Sequence, residues 1–278
     1  MTLRLVVTDR GIGRWEGDDV LVLDTAETDL GEALAAGRTL EDVAAAPVRE
    51  TVALADVTLL APVARPAQIW AVGLNYRAHV DEIKGMDLQE PFIFPKMPSA
   101  IIGHGEPIVL PAVDGDQVDF EGEMALVIGA RADHVTRANA LDVIAGITIC
   151  NDVSARSLQK GRPGVRANIS LAKSFRTFAP IGPAVTPLSA LSSLSGLRLR
   201  TLVNGEVRQD ATTDQLIFDI PTLIEYLTAR VTLLPGDLVA TGTPEGVGDV
   251  DGRYLAAGDV VRIELDGVGA LENTVVGA

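Results

Sequence analysis

The sequence predicts a β-rich α+β protein with a small N-terminal α/β domain ahead of a larger one, and three observations carry that prediction. Two apolar runs of strand length, Met124 to Ile128 and Val143 to Cys150, end in polar residues. Further on, Asn204 and Gly205 stand between Leu197–Val203 and Val207–Gln209, the strongest short signal for a hairpin with a type I′ turn. Prolines 62 and 66 break any continuing helix and divide the chain into residues 1–62 and 63–278.

In chain order, the first unit reads as strands Leu3–Thr8 and Val20–Leu23 followed by Ala-rich helical patches, Leu30–Ala36 and Leu40–Ala45. It clusters no acids, histidines or glycines in a site-like way, so it is expected to be structural. Past the prolines, Gln68 to Val72 reads as a buried strand ending at Gly73, with Asn75 as N-cap of a helix to about Lys84. Loops around short strands fill Glu90 to Pro111. After the second apolar run, Ser154 can cap a short helix carrying Arg156 and Gln159. Asp219 and Pro221 start a helix, Thr222 to Arg230, as cap and first-turn proline. Strands near Leu238–Thr241, Asp259–Leu265 and Ala270–Val276 complete the chain. The loop Gly242 to Gly248 has three glycines but neither a Walker lysine nor GxGxxG spacing, which leaves it a plain turn.

Length and composition bound the function. The 278 residues, 47% of them hydrophobic, suffice for one large core plus a small unit. A net charge of −15 argues against nucleic acid and against an anionic membrane surface as partners. The apolar runs fall short of the ~18 residues that span a bilayer, and Met1 to Val7 lacks the apolar core of a signal peptide. Cys150 is the single cysteine, so no intrachain disulfide forms. A cytoplasmic protein is expected.

The chemistry concentrates between Asp119 and Asp152. In an extended strand Glu121 and Glu123 project from one face, where two carboxylates repel unless a proton or a cation separates them. Asp152, at the end of the second apolar run, supplies a third acid. An all-oxygen set of this kind suits Mg²⁺ or Mn²⁺ rather than zinc. Alternate glutamates also mark the wet side of an amphipathic strand. Against that, Ala125 and Val127 share the glutamate face and are apolar, and a strand buried on both faces must pair its acids. On the predicted helix after Gly73, His79 and Glu82 are three apart and share a face. Such a carboxylate fixes the imidazole tautomer and raises its basicity, as a water-activating base requires, although a solvated surface pair has the same spacing. Glycines 73 and 85 would let that segment move as a lid. Lys96, among apolar residues and prolines, faces either a pocket or the surface, and Lys173 is the next candidate cation.

Together these pieces resemble the fumarylacetoacetate hydrolase family over about Ile69 to Val276. The matching segments are Val72-Gly73-Leu74-Asn75-Tyr76 with His79, Asp119-Phe120-Glu121-Gly122-Glu123, Asn151-Asp152-Val153-Ser154-Ala155-Arg156, Lys173-Ser174-Phe175 with Thr177-Phe178, Val203-Asn204-Gly205, Pro235-Gly236-Asp237 and Thr241-Gly242-Thr243-Pro244. The resemblance implies a mixed β-roll catalytic domain, a homodimer, and Mg²⁺ or Mn²⁺ on Glu121, Glu123 and Asp152. It implies a lid dyad of His79 and Glu82 and an active-site Lys173. Arg156, Gln159 and Thr243 are the substrate-binding residues expected on the same ground, and Lys96 and Tyr76 are expected to bind substrate beside them. Ser157, Ala172 and Arg176 depart from the family pattern and are expected to alter the wall near Lys173, adding positive charge.

The expected activity is metal-dependent hydrolysis of a carbon–carbon bond in a small acylpyruvate-like 2,4-dioxo acid. The cation would chelate the carboxylate and 2-oxo oxygens and stabilise the departing enolate. His79, oriented by Glu82, would activate water, and Lys173 would steady the oxyanion. The same enolate serves an oxaloacetate-type decarboxylase or a keto–enol isomerase of an unsaturated dioic acid. The alternative of another class is an inert binder of metal and 2-oxo acid.

Overall fold

Strand Gly122–Ile128 is buried at every position, which requires both faces covered and both edges paired. Its edges meet Ile144–Asn151 and Leu238–Ala240, both antiparallel. The computed structural model describes residues 2–83 and 88–278 and extends these strands into one long sheet. Its order is Val48–Ala53, Asp19–Leu23, Gly11–Glu16, Leu5–Thr8, Ala179–Pro187, Ile144–Asn151, Gly122–Ile128, Leu238–Ala240, Ile69–Gly73, Phe92–Lys96. Leu238–Ala240 and Ile69–Gly73 run parallel, so the sheet is mixed. A second sheet of five strands has the order Glu206–Thr212, Arg198–Val203, Val260–Leu265, Gly269–Val276, Ile108–Val109. The fold is the β-rich α+β architecture expected.

Alternation on Gly122–Ile128 feeds two cores. Met124, Leu126 and Ile128 pack with Leu199, Val261, Ile263 and Leu271 of the second sheet. Ala125 and Val127, on the other face, join Ile69, Phe94 and the helix residues Leu30, Leu34 and Val43. The first 62 residues therefore meet the rest through helices Leu30–Ala35 and Leu40–Ala44 and through Leu5–Thr8, which pairs Leu5 with Val185 and Val6 with Ala184. Two strands of this unit escape sequence reading. Gly11–Glu16 carries glycines that lower strand propensity, yet a Cβ at Gly13 would lie 2.5 Å from Val20 Cγ1, so the close approach demands glycine. Val48–Ala53 is an exposed, charged edge strand.

The hairpin turn is as expected, with φ of 54° at Asn204 and 81° at Gly205. Asp219 caps Ile220–Thr228 by accepting from Thr222 N. Two other expected caps are corrected. The helix after Gly73 is Arg77–Glu82, preceded by Tyr76 with no side-chain cap. Asn75 instead donates to Thr241 O at 2.7 Å and Phe218 O at 3.1 Å and accepts from Phe218 N at 2.8 Å, bonds that tie three segments together. Ser154 does not cap Arg156–Lys160; its hydroxyl donates to Asp152 O at 3.0 Å. The expected end of the lid segment, Lys84 to Met86, lies outside the described residues. No described helix is long and apolar enough to cross a membrane.

Candidate active site

Antiparallel pairing sets Gly122 opposite Asn151 and Glu123 opposite Cys150, so the start of one strand lies beside the turn that follows the other. Ligand oxygens of Glu121, Glu123 and Asp152 thereby come within 4.8 Å of one another, all three residues buried. The intervening residue must be glycine, because a Cβ at 122 would collide with Thr201 Oγ1. Three hard oxygen donors at this spacing fit a divalent cation such as Mg²⁺ or Mn²⁺.

The acids are unequally compensated. Burial pushes the Glu121 carboxyl upward, but Lys173 and Arg156 outweigh it and hold it at about 2. Burial, reinforced by Asp152 and Glu121, pushes Glu123 well above the ordinary carboxylate range. The buried charge of Glu123 is the least compensated of the three and calls for either a proton or a cation.

The protein's own cations crowd the other two acids. Lys173 Nζ lies 2.6 Å from Glu121 Oε2 and 2.7 Å from Asp152 Oδ2. Burial works against the Lys173 charge, but Asp152 and Glu121 prevail and keep it an ammonium. Arg156 reaches Asp119 Oδ2 at 2.8 Å and Glu121 Oε1 at 2.6 Å and donates to Gln159 Oε1 at 2.9 Å.

His79 Nδ1 is 3.3 Å from Glu82 Oε2, and both Glu82 oxygens accept from Gly246 N, at 3.0 and 3.2 Å. That second partner is what sequence reading missed. The loop from Gly242 to Gly248 is no plain turn: Gly242 N donates to Glu123 at 2.7 Å, Gly246 N to Glu82, and Gly248 N to Asp119 at 2.8 Å. One loop thus positions an acid of the cluster, the dyad carboxylate and the partner of Arg156. Glycine is required at each point, with φ of 109° and 95° at Gly242 and Gly246, while side chains at 246 and 248 would strike the Arg208 and Arg253 carbonyls. Between them, Thr243 Oγ1 donates to Gly122 O at 3.0 Å and accepts from Gln209 Nε2 at 2.8 Å. Gln209, unnoticed in the sequence, also accepts from Gly122 N at 3.0 Å.

A cavity of about 520 Å³ gathers His79, Glu82, Glu121, Arg156, Gln159, Lys173 and Thr243 on its wall. Glu123 and Asp152 are buried beside Glu121, off that wall. The other two residues expected to meet substrate are buried behind this wall. Lys96 Nζ is taken by Asp152 Oδ1 at 2.6 Å and Lys173 O at 2.5 Å and does not line the cavity. Tyr76 is buried off the wall as well. Ser157, Ala172 and Arg176 are also absent from the lining, and Arg176 is exposed, so the expected extra charge near Lys173 does not arise. A larger hollow of about 980 Å³, between Trp15 and Arg262, brings together none of the cluster.

The profile described as fumarylacetoacetate (FAA) hydrolase C-terminal matches residues 68–276. A mitochondrial protein of Bos taurus named oxaloacetate tautomerase FAHD2A is 41% identical over 223 residues, 80% of this chain and 70% of that one. Among solved structures, 5-carboxymethyl-2-hydroxymuconate delta-isomerase from Mycobacterium smegmatis is 37% identical with a TM-score of 0.79, covering 100% of both chains. Maleylpyruvate hydrolase from Sphingobium sp. SYK-6, in complex with manganese(II) ion and pyruvate, is 32% identical with a TM-score of 0.80 over 99% of each chain.

Proposed function

Since the chain belongs to the fumarylacetoacetate hydrolase family, we propose that it is a divalent-cation-dependent enzyme of small 2-oxo acids that hydrolyses a carbon–carbon bond in an acylpyruvate-type 2,4-dioxo acid. The observation that carries this reading is one cavity shared by a histidine–carboxylate dyad, a buried ammonium and an acid of the three-carboxylate cluster. Glu121, Glu123 and Asp152 would hold Mg²⁺ or Mn²⁺, whose Lewis acidity stabilises negative charge on a 2-oxo oxygen.

The remaining work falls to side chains. Glu82, fixed by Gly246 N, accepts from His79 Nδ1 and leaves Nε2 to carry a proton. His79 takes that proton from water, whose oxygen adds to the distal carbonyl. The bond between C3 and C4 breaks with its electrons going to C3, and His79 returns the proton to that carbon. The products are a carboxylic acid and pyruvate. Lys173 steadies charge on the carbonyl oxygen. The 520 Å³ of the cavity falls in the range of pockets for drug-sized ligands, more than a four-carbon acid needs, which favours a substrate with an acyl extension.

Tautomerisation of oxaloacetate is the second reading, favoured by the 41% identity to a protein of that name. There His79 would carry the proton between carbon and oxygen without water. Decarboxylation would need no attacking water, and an inert binder would have no use for the intact dyad. Incubating the protein and Mg²⁺ or Mn²⁺ with acylpyruvates and with oxaloacetate, and identifying products by mass and enol by absorbance, separates these outcomes. His79→Ala should cost hydrolysis ~10²-fold or more, the scale of general-base removal, with cation affinity unchanged; undiminished turnover would take the role from His79. A homodimer in the cytoplasm belongs to the same proposal, and light scattering at twice the chain mass would support the dimer.

A further inference from the structure

The cavity's most buried charged groups, Glu121, Arg156 and Lys173, lie at its inner end, and its exposed mouth is built differently. Phe92 is 38% exposed, Ile83 39% and Val250 48%, and with Leu74 and the buried Phe94 they line the same cavity. They come from separate segments: strand Phe92–Lys96, the residue after helix Arg77–Glu82, the turn after Ile69–Gly73, and the short helix Gly248–Asp251. Large apolar side chains gathered and left open in this way mark a surface that a ligand covers.

Leu74 adds an observation independent of exposure. Its φ is +59°, a left-handed conformation that glycine or asparagine adopts readily and leucine does not. Leu74 is thus a backbone outlier in the cavity lining, and such outliers cluster where a protein clamps a ligand. The charges at the mouth point the same way. Among the described residues the outer wall offers one cation, Lys160, and Asp249 Oδ1 occupies it at 2.6 Å while also accepting from Tyr254 OH at 2.9 Å. A second carboxylate on a substrate would meet the Asp249 carboxylate instead of a free ammonium.

We infer that the cavity selects 2-oxo acids whose far end is an uncharged alkyl or aryl group, and that Leu74, Ile83, Phe92, Phe94 and Val250 set this preference. The inference rests on the 2-oxo-acid reading above and names the substrate class within it. Calorimetric titration of the Mg²⁺-loaded protein tests it, with pyruvate, straight-chain 2-oxo acids of increasing length, phenylpyruvate, and acids of matched length ending in a second carboxylate. Affinity should rise about fourfold per methylene, which is ~0.8 kcal/mol per buried CH₂ converted at 1.36 kcal/mol per tenfold. A terminal carboxylate should weaken binding by ~10-fold or more against the methyl-ended acid of equal length. Phe92→Ala should flatten the dependence on length. Asp249→Asn, which releases Lys160, should narrow the penalty on the terminal carboxylate. Affinity that is flat in tail length, or a carboxylate-ended acid that binds as well as its methyl-ended match, overturns this inference and leaves the 2-oxo-acid reading standing. Failure of pyruvate itself to bind overturns both.

Discussion

Two regions of this protein are held by ion pairs between the same kinds of side chain, with opposite physical consequences. Around the acid cluster, the Lys173, Lys96 and Arg156 side chains are at most 6% exposed and pair with carboxylates at most 8% exposed. On the second sheet, Arg200 lies directly across from Glu264 and Arg262 across from Glu272, with side chains 28 to 44% exposed. The outer pairs exchange one hydrated state for another and are worth little. The inner ones pay a desolvation penalty that their attraction barely repays, and an apolar cluster of the same volume would be as stable or more so. Stability does not explain the inner cluster. The proposed site would explain it, since that site must present acids to a cation and carry enough positive charge to fold before the cation arrives.

The largest effect should come from Glu123, the acid whose buried charge this positive charge compensates least. Glu123→Gln keeps an acceptor for Gly242 N but removes a proposed ligand, and divalent-cation affinity should fall by more than the ~100-fold typical of losing a mere supporting partner of a ligand. The same change removes a carboxyl that burial and its neighbours Asp152 and Glu121 push upward, so the cation-free variant should melt no lower than the wild type. Calorimetric titration reads the first outcome and thermal unfolding the second. Full cation affinity would remove Glu123 from the site.

Lys173→Met should have the opposite sign on stability. It leaves Glu121 and Asp152 facing each other without the ammonium 2.6 and 2.7 Å away, and stranding one side of a buried pair costs ~3–5 kcal/mol. Denaturant unfolding should show that loss in the cation-free protein and a smaller one with saturating Mg²⁺, which supplies the missing charge. An equal loss in both conditions would separate Lys173 from the cation site.

A smaller effect tests the inner region through pH. The Glu121 carboxyl is held at about 2 against an ordinary 4.5, so its contribution to stability is whole above pH 4.5 and is lost as pH falls from there through about 2. Glu121→Gln should therefore flatten the decline of stability over that interval relative to wild type. An unchanged acid limb would mean that Lys173 and Arg156 do not protect this carboxylate.

How far each region was legible in the sequence follows the same divide. The Glu121, Glu123 and Asp152 cluster was readable because strand alternation is a local rule and both faces of the strand are apolar. The His79–Glu82 pair was readable from helical spacing. The second anchor of Glu82 at Gly246 was not, since it joins positions 164 residues apart through a backbone N–H that no side chain announces. The glycines at 242, 246 and 248 were visible, but what they make room for is set by tertiary approach. Lys96 was half legible for a related reason: an apolar, proline-rich setting shows that a lysine is sheltered, and only the fold shows that Asp152 and the Lys173 carbonyl are its partners. In the first 62 residues the glycines of Gly11–Glu16 and the charges of Val48–Ala53 masked strands that exist because neighbouring strands pair with them.

The smallest effect, on the second sheet, is the control for all of these. Glu264 accepts from Arg262 at 3.0 Å and pairs with Arg200 across the register. Burial works against its charge, but the two arginines hold its carboxyl below the ordinary range, the same direction as at Glu121. With water nearby, that shift carries little free energy into stability. A double-mutant cycle of Arg200→Ala and Glu264→Ala should return a coupling below ~1 kcal/mol, the range of cross-strand and exposed pairs, and raised salt should shrink it further because solvated charges are screened within ~10 Å at 0.1 M. The coupling of Lys173 to Glu121, measured in the same way without cation, should be several times larger and nearly indifferent to salt. If the two cycles gave equal coupling with equal salt dependence, burial would not be what separates these regions, and the assignment of the inner charges to a cation site would lose its physical basis.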